Sequence, residues 1–167
     1  MFTRPRRTLP ALALTASLAT ALTAPLAACS TDSPAAETLT VTDPWVKTAE
    51  SGMTAAFATL TNPTDDDLTV TAATTDSAAM VELHEVVDGV MQERDGGFTV
   101  PAGESLTLEP GGLHLMLMEL AGPIVAGDTV AFTLELADGS TVDLTATAKD
   151  FDGGEEDYEG GMESHSS

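Results

Sequence analysis

Residues 110–120 read PGGLHLMLMEL. In an extended strand, successive side chains point to opposite faces, so Leu113, Leu115 and Leu117 share one face and His114, Met116 and Met118 the other. A second segment, VELHEV (81–86), again sets its histidine, His84, off the aliphatic row. The tight turn VVDGV then carries the chain to Met91, within reach of His84 in a short hairpin. Imidazole and thioether are selective donors. Thioether sulfur is soft and neutral and favours Cu(I), whereas Ca(II) and Mg(II) prefer oxygen. Two imidazole nitrogens and two thioether sulfurs would compose a tetrahedral site for a d10 ion without thiolate. The competing reading of the same row is plain packing, with methionine filling gaps on a second buried face.

The elements that must position these residues follow a period of two, not 3.6. TLTVT (38–42), MTAAFATLT (53–61), LTVTAAT (68–74), AMVELHEV (79–86), SLTLE (105–109), LHLMLME (113–119), TVAFTLEL (129–136) and STVDLTATA (140–148) read as strands. Turn clusters such as NPTDDD, DGG, PAGE, PGG and ADGS separate them. No stretch makes a long amphipathic helix. The expected fold is all-β, an antiparallel Greek-key β-sandwich.

The ends have a different character. Arg4, Arg6 and Arg7 precede an apolar Ala/Leu/Thr run that closes on LAAC (26–29), the layout of an export signal. LAAC resembles the lipobox of bacterial lipoproteins, which implies removal of residues 1–28 and a lipid on Cys29. Residues 29–37 then read as a tether, 38–149 as the domain, and 150–167, acidic and Gly-rich, as a disordered tail. Cys29 is the single cysteine, which excludes an intrachain disulfide and any Cys-based zinc or iron–sulfur site. It also excludes a blue-copper centre in the domain, since that needs a thiolate ligand.

After the signal, Lys47, Arg94 and Lys149 stand against 27 acidic residues, a formal balance of 3 − 27 = −24. That excludes nucleic acid as a partner, because phosphate binding needs cations, and argues against electrostatic docking on anionic lipid. No nucleophile–base motif, phosphate-binding loop or zinc-hydrolase spacing is present, so no enzyme is expected.

The block VELHEVVDGVMQERDGGFTVPAGESLTLEPGGLHLMLMEL (81–120) closely resembles the core of the periplasmic copper chaperone family PCu(A)C, and GMTAAFATLTNPTDDDLTV (52–70) resembles its first half. The resemblance implies a cupredoxin-like sandwich binding Cu(I) through His84, Met91, His114 and Met116. It implies a monomeric chaperone on the outer face of the cytoplasmic membrane, held there by its lipid. Its clients would be apo copper proteins, notably the cytochrome c oxidase subunit with the CuA centre. One departure stands out: the turn after His84 is short, and Glu93 occupies a place where family members often carry a further methionine. Met53 and Met118 read as packing neighbours, and Met162 and His165 as a thin version of the His/Met-rich tails that bind a second copper in some members. The rival functions are a copper buffer without a dedicated client and an envelope binding module without metal.

Overall fold

A computed structural model of the chain describes residues 38–152 and 157–158. The expected signal, Cys29, the tether, Met162 and His165 lie outside the described residues. Within them the chain forms β1 (Thr40–Lys47), β2 (Thr54–Thr61), β3 (Leu68–Thr74), β4 (Ala78–Val87), β5 (Val90–Glu93), β6 (Phe98–Val100), β7 (Ser105–Leu108), β8 (His114–Leu120), β9 (Thr129–Leu136), β10 (Thr141–Lys149) and β11 (Asp157–Tyr158). The described residues contain no helix.

The strands close on themselves. The hydrogen-bonded order β4–β8–β2–β1–β10–β9–β3 returns to β4 through the pair Ala73–Val81, a barrel-like circuit of seven strands. The expected sheet was antiparallel throughout, but β1 and β10 run parallel, with Trp45 beside Thr147 and Lys47 beside Lys149. Turn residues report only the join between successive strands. A parallel pair whose members lie at opposite ends of the chain leaves no local signal. β5 and β11 extend the sheet outward from β4; Asp157–Tyr158, assigned by sequence to the tail, pair with Val90–Met91.

β9 illustrates why these residues form strands. Val130, Phe132, Leu134 and Leu136 are buried, while Thr129, Ala131 and Glu135 between them are exposed. The inward row meets Leu39, Val46, Leu60, Val70, Phe98 and Leu117 in one continuous core. Burying such side chains contributes about 1.5–3 kcal/mol each. Asn62 is fully buried at the end of β2, yet its amide is satisfied: Nδ2 donates to the carbonyls of Asp66 (2.8 Å) and Val100 (2.9 Å), and Oδ1 accepts from the Thr64 amide (3.0 Å) and hydroxyl (2.8 Å). This one side chain ties the 62–66 loop to β6.

Three strands depart from the one-face rule, β4 among them with Leu83 and His84 both buried. His114 to Leu117 in β8 are all buried, and so are Ala56 to Ala58 in β2. Both faces of the wall are covered there, which marks where the outside of the barrel carries something besides solvent.

Candidate metal centre

The leucines settle which face is which. Leu83, Leu115 and Leu117 belong to the core, so the intervening His84, His114 and Met116 project from the outer face of the barrel. Met116 is buried but is not part of the core. The same holds for Met53, Met80, Met91 and Met118: the core and the side chains packed against it are built from Leu, Val, Ile, Phe and Ala, with no methionine. Gap-filling methionines would be scattered through the interior. Here all five of the domain's methionines lie outside it.

Register brings the histidines together. His84 on β4 and His114 on β8 are directly opposed, and Glu82 and Met116 form the next pair but one. The rings lie 5.5 Å apart between centroids, inclined at 57°. Both are buried, His84 completely. On each ring a hydrogen bond fixes the tautomer. The Glu82 carboxylate, 2.8 Å from His84 Nε2, accepts the Nε2 hydrogen, so the lone pair of neutral His84 sits on Nδ1. The Gly112 carbonyl, 3.1 Å from His114 Nδ1, can only accept, so the lone pair of His114 sits on Nε2. Metal-ligating histidines are oriented in this way, with the other ring nitrogen donating to a carboxylate or a carbonyl.

Met91 sits on the neighbouring strand. The hairpin turn Asp88–Gly89, with φ of 54° and 83°, gives both positions the left-handed conformation a two-residue turn requires. Register then sets Met91 opposite Val86 and Glu93 opposite His84. Met91, His114, Met116, Met53, Phe57 and Phe151 line one cavity of about 340 Å³ on this outer face. Three of the four candidate residues thus share a cavity, and the fourth, His84, is in ring contact with the third. The place facing His84 on β5 holds an exposed carboxylate rather than a thioether.

Sequence reading missed several residues of this wall. Glu82 could have been found, since two positions before His84 on a strand is the same face. Trp45 could not. A bulge at Asp43–Pro44 shifts the β1–β2 register by one between Thr42 and Trp45, turning Trp45 outward opposite Phe57. Trp45 lies 4.4 Å from Phe57, which lies 6.2 Å from His114, and Phe151 closes on Trp45 at 5.5 Å. Aromatic rings thus cover the histidine pair from the β1 side. Among the described residues no three His, Cys, Asp or Glu side chains converge as a metal site would require.

Residues 39–148 match the family model described as "Putative lipoprotein LpqE-like". The chain belongs to the LpqE-like family. A relative from Leifsonia xyli subsp. xyli (strain CTCB07), described as "Putative lipoprotein Lxx21020", is 43% identical over 129 residues, covering 75% of this LpqE-like chain and 78% of its own. The solution structure of CuI-DR1885 from Deinococcus radiodurans is 35% identical, with a TM-score of 0.56 over 71% of this chain and 85% of that one. The copper-bound PCuAC domain from PmoF2 shares the fold, with a TM-score of 0.59 at 16% identity, covering 68% of this chain and 93% of that domain. The LpqE-like chain has the fold of the PCuAC domains, in line with its sequence resemblance to that family.

Proposed function

We propose that this LpqE-like protein is a copper chaperone of the cell envelope that binds one Cu(I) through His84, Met91, His114 and Met116 and surrenders it to apo copper proteins. The observation that carries the proposal is the histidine pair: two directly opposed imidazoles, each with its lone pair fixed on one nitrogen by a hydrogen bond from the other, beside the buried thioether of Met116. Neutral nitrogen and sulfur donors beside an aromatic wall favour the monovalent ion over the divalent one, whose desolvation costs more and which prefers harder donors. All four donors are uncharged, so no thiolate has to be displaced when the ion leaves. The DR1885 structure, which carries Cu(I) on a chain 35% identical to this one, supports Cu(I) as the ion.

We read the closed circuit as a flattened cupredoxin-like Greek-key sandwich, with the single-pair β3–β4 contact as its seam. The role requires no catalysis. Lipid on Cys29 would hold the domain at the outer face of the cytoplasmic membrane, consistent with the lipoprotein descriptions of the family and the Leifsonia relative; a Cys29→Ser chain that still fractionates with membranes would contradict that anchor. The expected client is the CuA-bearing subunit of cytochrome c oxidase. Mixing the Cu(I)-loaded protein with an apo CuA domain tests delivery. A chaperone transfers its copper within the mixing experiment, and a chain that keeps its copper is a buffer instead.

A further inference from the structure

The outer face carries a third row beyond the histidines. Along β8 the residues of this face are His114, Met116 and Met118, about 6.6 Å apart at each step. Across β4 their partners are His84, Glu82 and Met80. Across β2, Ala55 lies opposite Met116 and Thr54 opposite Leu117, so position 53 comes beside Met118. Leu120 N donates to Gly52 O at 3.0 Å, which keeps the chain against β8 at that point. Met53, Met118 and Met80 therefore lie side by side, one on each of three neighbouring chain segments spaced about 4.8 Å apart. Exposure rises along the ladder: His114 is 2% and Met116 4% exposed, Met118 and Met53 are half-buried, and Met80 is 51% exposed.

An exposed methionine is a poor choice for solubility, and three in a row across three segments are poorly explained by packing when the core uses none. Three thioethers with no nitrogen, thiolate or carboxylate among them suit a soft monovalent ion and little else. The histidines, by contrast, are almost wholly covered, His84 at 0% and His114 at 2% exposure. Met53 also lines the cavity that His114 and Met116 line, so the row is continuous with the inner site.

We infer that Met53, Met118 and Met80 form an outer Cu(I) station through which copper enters and leaves the buried His84/His114/Met116 site. This rests on the reading of that site as a Cu(I) centre. In each step one Cu–S bond from an incoming thioether forms as one bond to a site donor breaks. Copper stays monovalent and no proton moves, because thioethers carry none. Met116, adjacent to both rows, is the shared donor.

The test uses the domain with its tail, labelled with 13C at the methionine methyls, and a Met53→Leu/Met80→Leu/Met118→Leu variant of similar side-chain volume. Under anaerobic Cu(I) titration the first equivalent shifts the Met91 and Met116 methyls; the second shifts those of Met53, Met80 and Met118. Release of the first copper to the chelator bathocuproine disulfonate slows at least about tenfold in the variant, about 1.4 kcal/mol of barrier, while the dissociation constant stays close to that of the parent. Should the triple variant fail to fold, Met80→Leu alone, at the most exposed position, slows release in the same direction. An unchanged release rate with no second-equivalent shift overturns the outer station and leaves the inner site standing. A variant whose affinity falls in step with its rate also overturns it, because the row then belongs to the inner site. A parent chain that takes up no Cu(I) removes the inner-site reading itself, a different result from either.

Discussion

His84 and His114 face each other across β4 and β8 with ring centroids 5.5 Å apart, and neither ring is free to turn: a carboxylate holds one and a backbone carbonyl the other. The arrangement makes Glu82 a positioning residue. Glu82→Ala should weaken Cu(I) binding by about 10–100-fold, the usual cost of losing such an outer partner. Glu82→Gln, which keeps an oxygen acceptor without the charge, should fall between parent and Ala. Anaerobic competition with a Cu(I) chelator measures both. Equal affinity in all three proteins would remove Glu82 from the site.

Binding to the folded state alone stabilises it. With free Cu(I) at a hundred times the dissociation constant, the gain is about 2.7 kcal/mol, or roughly 10 °C in the melting midpoint for a domain of this size. Ag(I), another soft monovalent ion, should give a rise of the same sign, and Zn(II) at equal concentration should give little. Anaerobic thermal unfolding with each ion checks the order; a larger rise with Zn(II) would contradict a thioether-bearing centre.

Two positions outside the set of candidate ligands should govern stability rather than copper binding. Asn62→Ala removes the partner of two carbonyls and of the Thr64 amide and hydroxyl, at about 1–3 kcal/mol for each buried group left unsatisfied. Gly97 has φ of 77°, and a Cβ there would lie 2.1 Å from the Val70 carbonyl oxygen. Gly97→Ala should cost at least about 1–3 kcal/mol from backbone conformation alone, before the clash is counted. Denaturant unfolding reads both losses, and the folded fraction of each should keep the parent's Cu(I) affinity.

The strands that the sequence revealed most clearly are those with one face buried. β3 and β9 fall at the expected residues 68–74 and 129–136; burial alternates along the whole of β9, while in β3 a bulge between Val70 and Ala72 breaks it. β5 and β6, of four and three residues, are too short for a period to register. The parallel β1–β10 pair and the closure through Ala73–Val81 depend on contacts between distant parts of the chain, which no local pattern records. At the site, parity alone separated the His/Met row from the leucine row, and it also bears on Met53 and Met118: both read as packing residues, yet both stand outside the core. The wall of Trp45, Phe57 and Phe151 was hidden by the one-residue shift at Asp43–Pro44, which no reading of alternation along β1 would place.

In the proposed centre the paired histidines hold Cu(I) together with the thioethers of Met91 and Met116. The most direct measurement is an anaerobic Cu(I) titration against a competing chelator, run on residues 30–167 and on the His114→Ala/Met116→Ala variant side by side. The parent should hold one copper tightly and the variant none, with both proteins folded. Tight copper in both, or in neither, would contradict the proposed centre.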